Sequence, residues 1–370
     1  MKKIAIGFLG NIFYDTRTFN LHKSLKEKRH DVYFIGFDWL TVEFRTINKD
    51  SISVKKINKG RLSFLFYIKF FVSQLKSLIK IKADIYFAAD FFSLPAVFFA
   101  AKIRQGKIFY DSREIYTELP FHENKPSAKK IIKIIEKYLI KRVNCVFTTG
   151  DLDSKYLSEI YPFISTVLLR NLPLKQSGIV PIDYFSKYNL PEDSIVILYQ
   201  GIVVKGRGFE TYFKALKKMP DLYLIIIGGG EHLEFYKTLA NEMKISGRVI
   251  FEGKISQDKI MNYTAGAFAG LSLINNICIN NYYALPNKLF EYVMSGLPII
   301  VNDLPQMKKV IEEYKVGEVL NELNEDEIIS TIKKWRENKS LYNSLKENCL
   351  MASQTLNWET EFQNVYHLFS

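Results

Sequence analysis

Between Leu285 and Val301 the chain reads LPNKLFEYVMSGLPIIV. Pro286 suits the first turn of a helix and Gly296 its C-terminal stop, while Leu289, Phe290, Val293 and Met294 supply an apolar face. The remaining face carries Asn287, Lys288 and Glu291. Spacings of three and four residues place the first two beside Glu291 near the helix N-terminus, where free backbone N–H groups and the macrodipole attract an anion. A carboxylate there could hold a ribose, and the lysine with the amides a diphosphate. The same spacing reads equally as a solvated face with one i,i+3 ion pair, worth roughly 0.3 kcal/mol. Gly228, Gly229 and Gly230 end an apolar run, and Gly253 with Lys254 end another; either pair of strand ends could seat a nucleotide base or ribose, or be a tight turn. Gly7 and Gly10 form only G-x-x-G, short of the fingerprint of a dinucleotide site.

The elements that must position these groups repeat one theme. A strand at Lys3–Phe8, a loop with Gly10, a helix through Phe19, Leu21 and Leu25 and a strand at Val32–Ile35 open the chain. The same order returns as a strand at Ser194–Tyr199, a loop with Gly201, Gly206 and Gly208, a helix near Phe209–Lys218 and a strand at Leu222–Ile227. Continuously apolar strands alternating with helices predict parallel sheets buried on both faces. Further strands are expected at 84–88, 107–110, 145–149, 166–169, 249–251, 270–273 and 298–301. The expected fold is α/β, two Rossmann-like domains over 1–175 and 190–350, separated by the polar, Pro-containing stretch 171–191. A ligand is expected in the cleft between them, at the carboxyl ends of strands.

The 370 residues exceed one ordinary domain, and 48% hydrophobic against 24% charged residues supplies two cores and excludes a disordered chain. The longest apolar stretch, Ile85 to Ala101, contains Asp90 and Pro95 and falls short of a bilayer span. The start MKKIAIGFLG reads as a first strand rather than a secretory signal. Cys145, Cys278 and Cys349 make no CxxC, which fits a reducing cytoplasm, and His22, His30, His122, His232 and His367 make no metal-ligand cluster. The net charge of +12 points to an anionic partner. It concentrates at 60–82, with Arg61, Lys69, Lys76, Lys80 and Lys82 and no acid, and at 125–142, with Lys125, Lys129, Lys130, Lys133, Lys137, Lys141 and Arg142 against Glu136. Such segments suit an anionic membrane surface, or equally core-facing helices with a solvated lysine face. No nucleic-acid-binding signature accompanies the charge.

The ordered pieces NIFYDTRTFNLHKSL, AADFFSLP, FYDSREIYTELP, YQGIVVKGRGFE, LIIIGGGE, LPNKLFEYVMSGLP and DLPQMKKVI resemble the GT-B glycosyltransferases of retaining family 4, the group 1 type, over nearly the whole chain. The resemblance implies a metal-independent enzyme without cofactor that moves a sugar from a nucleotide-sugar donor, held by the second domain, to a glycan or lipid-linked acceptor on the first. Its expected setting is cytoplasmic assembly of bacterial surface polysaccharide, lipopolysaccharide or capsule, peripheral on the inner face of the plasma membrane. The C-terminal helix, 356–370, would return to the first domain. Glu291 would hold the ribose; Asn287, Lys288 and Leu289, the last by its backbone N–H, would meet the diphosphate, near Gly229 and Lys254. Arg207 stands in the place of the family's phosphate-binding lysine. Arg113, with Glu114, stands where relatives often carry a histidine near the anomeric centre. Asp15 and Arg17 resemble an acceptor-side loop in which Gly10 lets backbone approach the donor. Two positions depart from the pattern: Tyr283 replaces an acid eight residues before Glu291, which puts the donor sugar in question, and Ile202 replaces an arginine, which leaves Arg207 and Lys288 as the phosphate cations. A nucleotide-sugar 2-epimerase shares the architecture but would need histidines and carboxylates not seen here; a non-catalytic nucleotide- or glycan-binding module is the other alternative.

Overall fold

The computed structural model describes residues 1–39, 46–60, 63–120 and 125–370; Arg61 and His122 lie outside the described residues. The chain forms two compact units. The first comprises Met1–Asn171, Cys278–Asn280 and Trp358–Ser370, the second Leu172–Ile277 and Asn281–Asn357.

The first unit holds β1 (Lys3–Phe8), β2 (Asp31–Asp38), β3 (Ile47–Lys49), β4 (Ile52–Lys56), β5 (Ile85–Ala88), β6 (Lys107–Ser112), β7 (Cys145–Thr148) and β8 (Thr166–Leu168). They pair in the order β3-β4-β2-β1-β5-β6-β7-β8, parallel except for the short edge strand β3. The second unit holds β9 (Ile195–Gln200), β10 (Leu222–Ile227), β11 (Val249–Gly253), β12 (Ala269–Ser272), β13 (Ile299–Asn302) and β14 (Gly317–Leu320), parallel throughout in the order β11-β10-β9-β12-β13-β14. In each sheet the order reverses beside the first strand of the unit, so β1 and β9 end at a topological switch point, where α/β sheets seat ligands. All six residues of β9 are buried, as covering helices on both faces require of IVILYQ.

Strands β3, β4 and β14 go beyond the sequence expectation; each is short and mixes polar with apolar residues, so no continuous apolar run announces it. The stretch 171–191 is not a free connection. From Leu172 on it packs on the second unit, where the Ile182 N–H donates to the Asn262 carbonyl (2.9 Å) and the buried Tyr184 hydroxyl to that of Tyr263 (2.8 Å).

The C-terminal segment Trp358–Ser370 joins the first unit. The indole N–H of Trp358 donates to Ser24 Oγ (2.9 Å), Glu361 takes a bidentate pair from Arg170 (2.6 and 3.0 Å), and Phe369 packs among Phe87, Phe109 and Phe147. On this unit the helices Ser63–Ile79, Leu94–Arg104 and Pro126–Ile140 lie in one layer, each against the next.

Candidate nucleotide-binding site

In the second unit the loop after β9 and the loop after β10 cross in backbone contact. A Cβ on Gly228 would lie 2.0 Å from the Gly201 carbonyl oxygen, and both residues have φ of 134°, so no side chain fits at the crossing. Gly206 and Gly208, both with φ near 80°, turn the chain into the helix Phe209–Lys218 and carry Arg207 between them. Gly229 lies close to the exposed Lys254 stem, where an added Cβ would come 3.9 Å from Cε.

The helix Asn287–Met294 starts from Pro286 with no side-chain cap. Its buried face, Leu289, Phe290, Val293 and Met294, is the apolar face of the sequence. Asn287 is exposed, whereas Lys288 is 8% exposed. Its ammonium sits 3.6 Å from the centre of the Tyr199 ring and has no hydrogen-bond partner among the described residues. Burial drives the Lys288 pKa well below the usual lysine value, the Arg207 guanidinium adds to that, and Glu291 opposes both. Arg207 has no carboxylate partner among the described residues. Two basic side chains thus lie near enough to repel, neither in an ion pair among the described residues, an arrangement that an anion would complete.

The ion pair that the Lys288 and Glu291 spacing alternatively suggests is not formed among the described residues. Glu291 instead accepts from the side-chain amide of Gln200, whose carbonyl oxygen accepts from Thr264 Oγ1 (2.9 Å) and so fixes which end of the amide faces the carboxylate. Burial raises the Glu291 pKa, against the Gln200 hydrogen bond and the Lys288 charge. The Leu289 N–H is also differently placed: it donates to the Pro286 carbonyl (3.1 Å), which leaves the N–H groups of Asn287 and Lys288 as the open donors of the helix end. Gln200 is the site residue that the sequence reading passed over, although it ends β9 directly before Gly201. Tyr283 lies before the helix, its carbonyl accepting from Gln306, and Ile202 is exposed on the loop after β9.

In the first unit the residues assigned to an acceptor-side loop do something else. Arg17 is 2% exposed on the helix Thr16–Glu27, where it forks onto Asp111 (2.6 and 2.7 Å) and donates to the Leu169 carbonyl (2.5 Å). Asp15 caps that helix, accepting from the Thr18 N–H (2.8 Å), and pairs with Arg113 (2.7 Å). Burial alone would raise the Asp15 pKa, but Arg113 and Thr18 hold it below the carboxylate value. Arg113 also reaches Asp111 (3.2 Å) and Thr18 and lies over the Phe8 ring at 4.7 Å. Two arginines and two aspartates therefore form a neutral quartet, and Arg113 pairs with Asp15 and Asp111 rather than with Glu114. A Cβ on Gly10 would stand 2.2 Å from the Phe8 ring, so the ring packs where a side chain would lie.

Beside the quartet opens a cavity of about 470 Å³ with Arg113, Glu114, Asp90 and Lys59 on a wall otherwise apolar and mostly aromatic, Trp39, Phe66, Tyr67, Phe92 and Tyr116 among its residues. Tyr67 stacks on Phe92 (5.3 Å, 15°) and Lys59 lies over Trp39 (5.1 Å). Asp90 is held by the N–H groups of Leu9 (2.8 Å) and Ser93 (2.6 Å), while its burial raises its pKa. Flat rings beside hydrogen-bonding groups suit a sugar, which presents C–H faces and hydroxyl edges.

Residues 182–349 match the family model of glycosyl transferases group 1. The chain is 35% identical over 115 residues to the lipopolysaccharide core biosynthesis glycosyltransferase LpsE of Rhizobium meliloti, a segment covering 31% of this chain and 32% of that protein. Its fold follows sucrose-phosphate synthase from Thermosynechococcus elongatus over 100% of this chain and 98% of that one, at a TM-score of 0.81 and 17% identity. Anabaena HepE in complex with UDP-glucose is similar over 100% and 99% of the two chains, at a TM-score of 0.75 and 14% identity.

Proposed function

We propose that the protein is a retaining, metal-independent glycosyltransferase using a nucleotide-sugar donor, because residues 182–349 match the model of glycosyl transferases group 1 and the fold follows that of sucrose-phosphate synthase. The observation that carries the reading is the pair of unmet cations, Lys288 and Arg207, beside an open helix N-terminus and a carboxylate already oriented by Gln200. In this reading Glu291 takes the ribose hydroxyls. The diphosphate accepts from the Asn287 and Lys288 N–H groups, from the Lys288 ammonium and from the Arg207 guanidinium. As the anomeric carbon–oxygen bond breaks, its electrons go to the diphosphate, and the two side-chain cations take up the growing charge in place of a metal. The acceptor hydroxyl attacks the same face and passes its proton to the departing diphosphate oxygen.

The first unit's aromatic cavity would hold the acceptor, a glycan or a lipid-linked sugar. LpsE is a lipopolysaccharide core enzyme by name and HepE is described with UDP-glucose, which supports a hexosyl donor and a role in cytoplasmic assembly of bacterial surface polysaccharide. Thermal shift and donor hydrolysis over a panel of nucleoside diphosphates and nucleotide sugars, with EDTA present, test the reading. One nucleoside diphosphate should raise the melting temperature of the wild type and fail to do so in Glu291→Ala. Silence across the panel would refute an intact donor site.

A further inference from the structure

Strand β9 is apolar from Ile195 to Tyr199 and then ends in Gln200, which is 2% exposed. A buried amide in such a strand costs stability unless its polar atoms are met. Gln200 is met from two helices. Its backbone N–H donates to the Tyr292 hydroxyl (3.1 Å) and its side-chain N–H to Glu291 Oε2, both on the helix Asn287–Met294. Its Oε1 accepts from the Thr264 hydroxyl (2.9 Å) of the helix Gln257–Ala265, a group that also lies 2.8 Å from the Ile260 carbonyl. Thr264 therefore has a second acceptor, and Tyr292 bonds only the backbone, so an aliphatic side chain at this place would serve the packing. Glu291 alone depends on the amide, having no other side-chain hydrogen bond among the described residues.

That bond fixes the carboxylate. An ionised carboxylate only accepts, so the NH2 end of the amide must face it. Glu291 is half-buried and its Oε1 is left open for a ligand. The last torsion of a glutamate is otherwise broad, whereas two neighbouring hydroxyls need acceptors held at fixed places. The charge acting on Glu291 comes from Lys288 on its own helix, with Arg207 from the loop after β9 acting on Lys288 in turn. Gln200 and Thr264, which face it from β9 and from the helix Gln257–Ala265, are uncharged, and burial keeps the Tyr292 hydroxyl protonated.

We propose that Gln200 is the positioning residue of the ribose subsite: its amide locks the Glu291 carboxylate in the orientation that accepts from both ribose hydroxyls, and so makes the site choose ribonucleotides over 2′-deoxyribonucleotides. The proposal rests on the donor-site reading of Glu291. With the lock in place, a missing 2′-hydroxyl leaves a fixed acceptor empty, which costs about 10- to 100-fold in affinity. Without it the carboxylate turns and meets one hydroxyl at a time, and the deoxy form loses little.

Calorimetric titration of the full chain with UDP, GDP, ADP and their 2′-deoxy counterparts, from about pH 5 to 9, tests the proposal. Q200M keeps the bulk of the side chain and the backbone N–H to Tyr292. It should bind the ribo form about tenfold more weakly and reduce the ribo preference to about threefold or less. It also removes a bond that holds the Glu291 pKa down, so the acid limb of binding should move to higher pH, which a loss of packing would not cause. Q200E carries the opposite sign: two facing carboxyls should weaken binding at about pH 8 and restore it as pH falls and the pair shares one proton. In an E291Q background the Q200M change should make less than about twofold further difference, because Gln200 acts through that carboxylate. T264V leaves the amide in place but frees it to turn, and it should lower the preference about two- to fivefold even if Q200M does not fold. Equal losses for ribo and deoxy forms, an unmoved acid limb, additive effects of Q200M and E291Q, or an unchanged preference in T264V would overturn the role of Gln200. If no nucleotide binds, or if E291A binds as the wild type does, the donor-site reading itself fails; if E291A loses the preference and Q200M keeps it, only the role of Gln200 does.

Discussion

Replacing Lys288 by Met should make the empty protein more stable and the nucleotide site weaker. The ammonium is buried without a hydrogen bond, a state that costs about 1–3 kcal/mol, and Met keeps the stem that packs beside Tyr199. The lost attraction to the Tyr199 ring takes back about 0.5–2 kcal/mol, leaving a net gain of about 1 kcal/mol, or about 2–4 °C in melting temperature. Binding of the nucleoside diphosphate loses one charge-assisted contact of about 1.5–3 kcal/mol, which is about 10- to 150-fold in affinity. The pH dependence has a definite sign. Because the folded-state pKa lies below the ordinary lysine value of 10.5, the folded chain binds fewer protons in that window, and wild-type stability rises with pH through it. The advantage of the Met variant should therefore be largest at low pH and vanish above 10.5. Paired melting curves across pH and calorimetric titration with the nucleoside diphosphate measure both halves. A variant that melts lower than the wild type at neutral pH, or that keeps full affinity, would refute the unmet-cation argument.

Arg17→Met should destabilise the first unit by about 3 kcal/mol, since it strands the buried Asp111 with Arg113 as its remaining cation; denaturant titration reads this, and a loss under about 1 kcal/mol would contradict a structural role. His22, lowered to about 4 by burial and the Lys26 charge, binds fewer protons folded than unfolded between about 4 and 6.5. Its contribution is intact above 6.5 and is lost as pH falls toward 4, about 2 kcal/mol after allowance for solvent screening; a His22→Leu chain should show a correspondingly smaller acid decline in chemical denaturation.

The period of the apolar residues determined which segments became strands and helices. Runs such as IVILYQ and LYLIII can bury both faces only inside a parallel sheet, and the glycines at 201, 206, 208 and 228 mark the turns that follow. The placing of Lys288 and Glu291 on one helix was equally legible, because helical spacing is local. Their partners were not. Gln200 and Tyr199 lie about ninety positions earlier and arrive only when β9 packs beside that helix, so the ion pair that local spacing suggested gives way to an amide–carboxylate bond and an ammonium over a ring. Arg17 looked like a loop residue until β6 brought Asp111 to it from 94 positions away. The helix Pro126–Ile140 has two apolar faces by periodicity, and its sequence contains no rule for which one is covered. Tyr110 and Tyr161 decide that, by giving Glu136 two hydrogen bonds in the interior and so turning Ile131, Ile134, Ile135 and Tyr138 outward. Local period sets an element and its faces, whereas the partner of a buried charge is set by whichever strand the fold lays beside it.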